Sequence, residues 1–366
     1  MSEEKIHILK EMPLRNPTNG TFELTVRCNL HCKMCAFRHA DCENAELMQK
    51  ELTAQQWIDM ARQAAEAGTL TLLLTGGEPM LRPDFCEIYE GIYQQGFLLT
   101  LYTNATMVTD KIMETLRKYP PHKIGVTLYG ASPETYGVVC GNPDALAKAI
   151  NGMHQLQTLP SEMEFRTTII KDNFSDVDAM DQLVKCEFGP ETRITHPASI
   201  YKAVRGACAD VDGCRVDSYQ MHLLHVQRKL NVIKEFVGEE FDERNVCARE
   251  EENGPVDNKR APMFGCPAGM SAYTITYDGK MQGCQMLGAF WTNAKKHGLQ
   301  EAWNQFPEVV HLPPRNEKCK NCDAAEYCQS CYASRYAETG NLNGCCDYIY
   351  YDACSMKKIY DQYRRS

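Results

Sequence analysis

Arg27-Cys28-Asn29-Leu30-His31-Cys32-Lys33-Met34-Cys35 is the stretch from which the fold and the chemistry are predicted. Its three cysteines stand at C-x3-C-x2-C spacing, directly after a strand-like run over residues 21–26. Three thiolates so close together can hold three corners of an iron–sulfur cube, which leaves one of its four irons without a protein ligand. Electron-storage clusters use four cysteines, so a set of three indicates chemistry at the open iron. A zinc site is the alternative, because soft thiolates also bind zinc.

This cysteine spacing resembles that of the radical S-adenosylmethionine (SAM) enzymes, which carry it in the loop after the first strand of a partial (β/α)6 barrel. A second motif, Gly76-Gly77-Glu78, follows the next strand-like run. It is similar to the family's GGE motif, and the resemblance implies that it binds the amino group of SAM. The two glycines allow the backbone to approach a ligand closely. The resemblance covers nearly the whole chain.

Three further residues are carried over from the family as SAM contacts. Met34 stands where the family usually has an aromatic residue against the adenine, and its apolar, polarisable side chain can still cover the ring. Thr127 keeps the hydroxyl that reaches the ribose, although Tyr129 replaces the common Asp two residues later. Arg166 matches a position that contacts the SAM carboxylate or ribose; the alternative is an ordinary surface cation.

Strand-like and helix-like segments alternate from residue 21 to about residue 197, with strands expected at 21–26, 69–74, 97–102, 123–128, 164–170 and 191–196. Six βα units in series predict an α/β fold with a parallel sheet. The resemblance implies that this sheet forms a partial (β/α)6 TIM-type barrel, whose ligands lie at the C-terminal ends of the strands. The predicted domains are an N-terminal extension (1–20), the barrel (21–205), a helical and charged linker (206–262) and a small cysteine-rich domain (263–366).

The composition limits the possible partners and the compartment. With 39 basic and 48 acidic side chains the net charge is −9, which argues against nucleic acid as an obligate partner. No apolar run reaches membrane-spanning length and the N-terminus lacks a signal-peptide pattern, so we expect a cytoplasmic protein without a membrane partner. Nineteen cysteines in a reducing compartment indicate metal binding rather than disulfides, and nine of them follow residue 260.

These late cysteines resemble the SPASM module of radical SAM enzymes that modify peptides and proteins, which holds two auxiliary 4Fe–4S clusters. Cys266 and Cys284 flank a predicted β-hairpin with a type I′ turn at Asp278-Gly279. A C-x2-C-x5-C-x2-C run follows, where the family's last gap is three residues. A zinc ribbon remains the alternative for this module, because C-x2-C pairs also suit zinc.

The resemblance implies the ligands of both auxiliary clusters. The first would use Cys266, Cys284 and Cys331, with Cys247, another upstream cysteine or no residue as the fourth ligand. The second would use three cysteines of the run and one late cysteine: Cys319, Cys322, Cys328 and Cys354, with Cys345 or Cys346 in place of Cys354 as the alternatives.

The function implied is that of a radical SAM/SPASM enzyme, an oxidoreductase whose cofactors are SAM and three 4Fe–4S clusters. A flavodoxin or ferredoxin would reduce the first cluster, SAM would yield a 5′-deoxyadenosyl radical, and a ribosomally made peptide would be oxidised to a thioether or a carbon–carbon crosslink. A separate protein could present the leader of that peptide, since only 27 residues precede Cys28.

Two other functions are alternatives to a peptide maturase. The first is an anaerobic sulfatase-maturating enzyme, which forms formylglycine from a protein Cys or Ser. Those enzymes have an Asp base after the cysteine matching Cys284, whereas Gln285 here cannot take a proton. The second is a catalytically silent, zinc-binding interaction module, against which Glu78 with its two glycines argues.

Overall fold

The computed structural model describes residues 15–197, 199–202, 210–237, 263–314 and 316–365. Six parallel strands run in chain order, each paired with the next. They are β1 (Asn19–Glu23), β2 (Thr71–Thr75), β3 (Leu98–Thr103), β4 (Lys123–Thr127), β5 (Glu162–Arg166) and β6 (Ile194–Thr195). The predicted α/β fold with a parallel sheet is confirmed, and every predicted strand segment overlaps one of these strands.

Seven helices alternate with these strands. They are α1 (Asp41–Lys50), α2 (Ala54–Glu66), α3 (Phe85–Tyr93), α4 (Asp110–Lys118), α5 (Pro133–Cys140), α6 (Ala145–Gln157) and α7 (Val177–Phe188). The core lies between the helices and one face of the sheet. Phe22 on β1 is fully buried and its ring centroid lies 5.0 Å from that of Trp57 on α2. Because strand side chains alternate, Glu23 points to the opposite, inner face.

The late part of the chain extends the same sheet. Its elements are β7 (Ala272–Ile275), β8 (Lys280–Gln282), β9 (Thr292–Asn293), and the helices α8 (Val211–Cys214), α9 (Ser218–Val237), α10 (Ala294–His297), α11 (Leu299–Val309), α12 (Glu317–Lys320), α13 (Tyr332–Thr339) and α14 (Asp347–Arg365). β7 pairs in parallel with β1, so the barrel strands and the hairpin strands form one nine-stranded sheet in the order β6-β5-β4-β3-β2-β1-β7-β8-β9. No local pattern in the sequence predicts this pairing. The predicted domain boundaries stay predictions, and residues 238–262 of the linker lie outside the described part.

The predicted hairpin is confirmed, but its predicted turn type is wrong. β7 and β8 are antiparallel, with Thr274 opposite Gln282. A type I′ turn needs a positive φ at both central residues. Gly279 has φ +84°, whereas Asp278 has a negative φ, and the backbone N–H of Thr276 donates to the carbonyl of Lys280. The hairpin is therefore closed by a loop longer than two residues, in which one glycine adopts the left-handed conformation. An Asp before that glycine is compatible with this loop.

Candidate active site

The three-cysteine loop leaves β1 and packs against the neighbouring strand ends. The backbone N–H groups of His31 and Lys33 donate to the carbonyls of Cys140 and Val139 at the end of α5, at 2.9 and 3.0 Å. Asn29 donates to the Thr106 hydroxyl at 2.8 Å. The loop is therefore held on two sides by the segments that follow β3 and β4.

Within this loop the thiols of Cys28, Cys32 and Cys35 interact electrostatically. Burial raises the pKa of the Cys28 thiol to about 12 and that of Cys32 well above its usual range, and the neighbouring thiols raise both further. Thiols in such surroundings stay neutral unless a metal ionises them, and a coordinating thiol is deprotonated outright. The set therefore fits a cationic iron–sulfur group, for which these three side chains would supply the ligands.

Glu78 is fully buried beside this loop. Its carboxylate accepts hydrogen bonds from the Thr103 hydroxyl at 2.8 Å and from the backbone N–H groups of Asn104 and Met80 at 2.8 and 3.1 Å. Burial nevertheless raises the pKa of Glu78 to about 7. The negative charge of Glu78 also disfavours ionisation of Cys28, which shows that the two predicted motifs converge.

The glycines before Glu78 are required by a close approach of two chains. A Cβ on Gly77 would lie 2.2 Å from the carbonyl oxygen of Arg27, and one on Gly76 would lie 2.5 Å from that of Thr25. Gly76 also has φ +145°. The Glu78 N–H donates to the Arg27 carbonyl at 2.7 Å, so the GGE segment lies directly on the residue before the first cysteine.

The remaining residues predicted to contact SAM lie in different surroundings. Met34 is buried, with 7 % of its surface exposed, and belongs to the main core. Thr127 and Arg166 end β4 and β5 as register partners. The Arg166 guanidinium lies 4.3 Å from the centroid of the Tyr102 ring on β3. Their roles towards SAM stay predictions.

Tyr129, the residue that departs from the family pattern, contacts the cysteine loop. Its phenol is hydrogen-bonded to the Cys32 thiol, and burial together with that thiol raises the pKa of Tyr129. Its ring meets Tyr136 edge-on, with the ring centroids 5.8 Å apart. Tyr129 therefore gives Cys32 a hydrogen-bond partner that the sequence did not predict.

Behind the loop lies a buried ionic network that the sequence also did not predict. Arg82, 5 % exposed, donates to the carbonyls of Leu24 and Leu52 at 2.7 and 3.0 Å and forms an ion pair with Asp84 at 2.7 Å. Glu51 binds the Thr25 hydroxyl, the Val26 N–H and the Arg27 guanidinium. These hydrogen bonds and ion pairs hold the segment between β1 and Cys28 in place.

A second group of thiols comprises Cys266, Cys284 and Cys331. Burial raises the pKa of Cys284, and the Cys331 and Cys266 thiols raise it further, so the three side chains predicted to share a cluster lie together. The residue after Cys284 reaches the first strand: Gln285 Nε2 donates to Glu23 Oε1 at 2.9 Å. Cys247, the predicted candidate for a fourth ligand, lies outside the described residues.

A third group of thiols includes Cys345, one of the predicted alternatives, and the choice of Cys354 as the late ligand stays a prediction. Burial raises the pKa of Cys345, and the thiols of Cys319 and Cys328 contribute next, followed by Cys346. Cys354 lies inside helix α14 and is hydrogen-bonded to the Tyr350 phenol. Cys345, an alternative in the sequence prediction, is therefore the late cysteine for which the structure shows proximity to this group.

Two absences concern only the part of the chain that the structure describes. No three His, Cys, Asp or Glu side chains there converge on the position of a single metal ion. None of the described helices is both long enough and apolar enough to cross a membrane.

Comparison with known proteins places this site in context. Residues 22–184 match the family model of the radical SAM superfamily. The AdoMet-dependent heme synthase of Methanosarcina barkeri is 26% identical over 329 residues, covering 87% of this chain and 92% of that protein. The antilisterial bacteriocin subtilosin biosynthesis protein AlbA of Bacillus subtilis is 22% identical over 348 residues, covering 92% of this chain and 68% of that protein.

Two solved structures share the fold across almost the whole chain. Streptococcus suis SuiB bound to its precursor peptide SuiA superposes with a TM-score of 0.66 at 15% identity, covering 95% of this chain and 79% of that one. anSMEcpe with bound AdoMet and the Kp18Cys peptide gives 0.64 at 14% identity, covering 94% and 96%. Residues 22–184, which hold the C-x3-C-x2-C loop and the GGE segment, thus match the radical SAM family, and the two solved structures share the fold of the chain.

Proposed function

We propose that this chain is a radical SAM/SPASM oxidoreductase that oxidises a ribosomally made peptide and forms a thioether or a carbon–carbon crosslink. Cys28, Cys32 and Cys35 would hold a 4Fe–4S cluster that supplies the electron for reductive cleavage of SAM. Glu78, preceded by its two glycines, would bind the amino group of SAM, and Thr127 and Arg166 lie at strand ends where the rest of SAM would bind.

The observation that carries the proposal is the Gln285–Glu23 hydrogen bond. It joins the residue after Cys284 to the strand that leads into the Cys28 loop. Glu23 and Cys28 are five positions apart, so an extended chain would span at most about 18 Å between them. A peptide held at the first site would therefore be within reach of the second thiol group. Two auxiliary clusters, at the second and third groups, would accept the second electron or bind the peptide.

The relatives support both a peptide and a tetrapyrrole as substrate. SuiB was solved with a precursor peptide and AlbA is named for bacteriocin biosynthesis, whereas another relative is a heme synthase. Heme carries propionate carboxylates, which need cationic partners. The inner-face side chain beside the second thiol group is the carboxylate of Glu23, which favours a peptide. A separate leader-binding protein and a flavodoxin or ferredoxin reductant belong to the proposal.

Formylglycine formation is the second candidate because of the same carboxylate. Gln285 cannot accept a proton, yet Glu23 brings a carboxylate to within 2.9 Å of its amide. A sulfatase peptide with a Cys in place of the modified residue would therefore be the second substrate to test.

The test begins with iron and sulfide per chain after anaerobic reconstitution, where about twelve irons are expected for three cubes. The loaded protein is then incubated with SAM, dithionite and cysteine-containing peptides encoded beside the gene. We expect 5′-deoxyadenosine and a peptide that has lost two hydrogens. The matched control is Cys86→Ala, since Cys86 lies on α3 and its thiol donates only to the Lys111 carbonyl. Cys28→Ala should abolish both products; an unchanged yield from it would contradict the proposal.

A further inference from the structure

Three side chains close a ring of hydrogen bonds between the cysteine loop and the segment after β3. Asn29 Nδ2 donates to the Thr106 hydroxyl at 2.8 Å, and that hydroxyl donates to Asn104 Oδ1 at 2.6 Å. Asn104 Nδ2 donates back to Asn29 Oδ1 at 3.0 Å. Each side chain donates once and accepts once within the ring, so the loss of any one of them breaks two of the three bonds.

Asn104 joins this ring to Glu78. Its side chain reaches Asn29, which lies between the first two cysteines of the loop, while its backbone N–H donates to Glu78 Oε2 at 2.8 Å. Only 5 % of the surface of Asn104 is exposed and Glu78 is fully buried, so water competes little for these bonds. One buried residue therefore contacts both the cysteine loop and the predicted SAM-binding carboxylate.

The backbone next to Asn104 is held in a strained conformation. Ala105 has φ +58° and is the only residue other than glycine with a positive φ in the part of the chain that the structure describes. A side chain in the left-handed region costs free energy and persists only where the surrounding contacts hold it. Helix α6 packs directly against this turn, since a Cβ on Gly152 would lie 1.9 Å from the Ala105 carbonyl oxygen. Strain of this kind points to a functional role for the turn that separates Asn104 from Thr106.

The other described bond between the loop and Glu78 lies at the base of the loop. The Glu78 N–H donates to the Arg27 carbonyl at 2.7 Å, one residue before the first cysteine. This bond fixes where the loop begins. The ring reaches Asn29, one residue after the first cysteine, and so holds the loop itself.

We propose that the ring of Asn29, Thr106 and Asn104 is a positioning device that fixes the cysteine loop relative to Glu78 and thereby determines how tightly SAM binds. The inference rests on the proposed function, in which SAM contacts both the cluster of this loop and Glu78. A ligand that is held at two points binds tightly only when the protein already holds those points at the right separation. The three residues act through the loop and Glu78 and are positioning residues.

The experiment measures SAM binding and needs neither a reductant nor a peptide. The full-length chain and its variants are reconstituted anaerobically, iron and sulfide are counted, and melting temperatures are recorded. The Kd of radiolabelled SAM is then measured by anaerobic equilibrium dialysis of the oxidised protein. Cys28→Ala, measured in parallel, identifies the SAM binding that depends on the cluster.

Asn29→Ala and Asn104→Ala should each raise the Kd for SAM at least about tenfold with iron and sulfide unchanged, because the loss of a residue that supports a metal site lowers affinity by about 10- to 100-fold. Asn29→Ala already removes both side-chain bonds between Asn29 and the segment after β3. Adding Asn104→Ala to it should therefore weaken binding by no more than about threefold further, whereas independent effects would multiply to about a hundredfold.

Thr106 offers an isosteric pair, and α11 offers a matched control. Thr106→Val keeps the shape but lacks the hydroxyl and should weaken SAM binding, whereas Thr106→Ser keeps the hydroxyl and should bind SAM like the unmodified chain. Asn304→Ala removes an exposed Asn whose side chain accepts from Gln300 Nε2 at 3.1 Å, and it should leave the Kd unchanged.

The results that would overturn the inference are distinguishable. If the iron-loaded, unmodified chain binds no SAM, the proposed function is wrong and the role of the ring falls with it. If it binds SAM and both single Asn variants bind equally well, the proposed function stands and only the inference fails. Effects that multiply in the double variant would show that the two residues do not act through one ring. Loss of iron from both single variants would assign the ring to retention of the cluster instead of to SAM binding.

Discussion

The environment of Glu78 predicts the direction in which the stability of the folded chain changes with pH. Burial raises its pKa from the ordinary value of 4.5 to about 7 in the folded chain. An acid whose folded pKa is raised binds more protons in the folded state, so its contribution to stability is fully present below the unfolded pKa. That contribution is lost as the pH rises through about 7.

The expected size follows from the two pKa values. With a folded value of about 7 and an unfolded value of about 4.5, the free energy of unfolding should fall by about 2 kcal/mol between pH 5.5 and pH 8. Glu78→Gln carries a neutral amide at every pH in this range and should lack that fall. Its absolute stability will be lower throughout, since an amide cannot accept all three hydrogen bonds that the carboxylate accepts.

The assay is urea unfolding of the reduced, metal-free chain, followed by the fluorescence of buried tryptophans such as Trp57. The quantity compared is the change in unfolding free energy with pH, wild type minus variant, so titrations elsewhere in the chain cancel. Glu66→Gln is the control, because Glu66 is an exposed partner of Arg62 and should keep the wild-type dependence. Equal slopes for wild type and Glu78→Gln would refute the reasoning.

Three further predictions follow from the same structure. Arg82→Met should cost about 3 kcal/mol in urea unfolding, because it removes the donor to the carbonyls of Leu24 and Leu52 and to the Asp84 carboxylate; a loss under 1 kcal/mol would show that the network is not needed. Cys345→Ala should lower the iron bound per chain by about four atoms while Cys354→Ala leaves it unchanged, and the reverse result would identify Cys354 as the ligand. Tyr129→Phe should keep the iron content but lower the reduction potential of the SAM cluster in a dye-coupled titration, since a donor to Cys32 is lost; an unchanged potential would contradict this.

The barrel part of the fold was predictable because its signals are local. Buried parallel strands are short apolar runs between helical patterns, and both motifs predicted to bind SAM stand directly after such runs. Even the start of α2 was readable: the Thr53 hydroxyl accepts from the Gln56 N–H at 3.3 Å and the Gln56 side chain accepts in return at 3.0 Å. Each of these features depends only on residues a few positions apart.

What the sequence did not predict depends on how distant segments meet. Whether Cys345 or Cys354 is the cluster ligand depends on the path of the chain around α14. The spacing of the cysteines in the sequence does not predict that path. The sequence shows only that Gln285 cannot take a proton. Its partner Glu23 lies 262 positions away in the chain, so the residues around Gln285 do not predict this hydrogen bond. An acid at the end of an otherwise apolar strand was the one visible signal for that contact.

The pairing of β7 with β1 has a consequence for how this protein can be divided. β1 has β2 on one side and β7 on the other, so a fragment ending after the barrel would expose the backbone donors and acceptors of its first strand. Such an open edge invites pairing with another copy. A fragment cut where the match to the family model ends would therefore be prone to aggregate and would not be a minimal enzyme. In the full chain, the cysteine-rich region covers this edge of the barrel sheet.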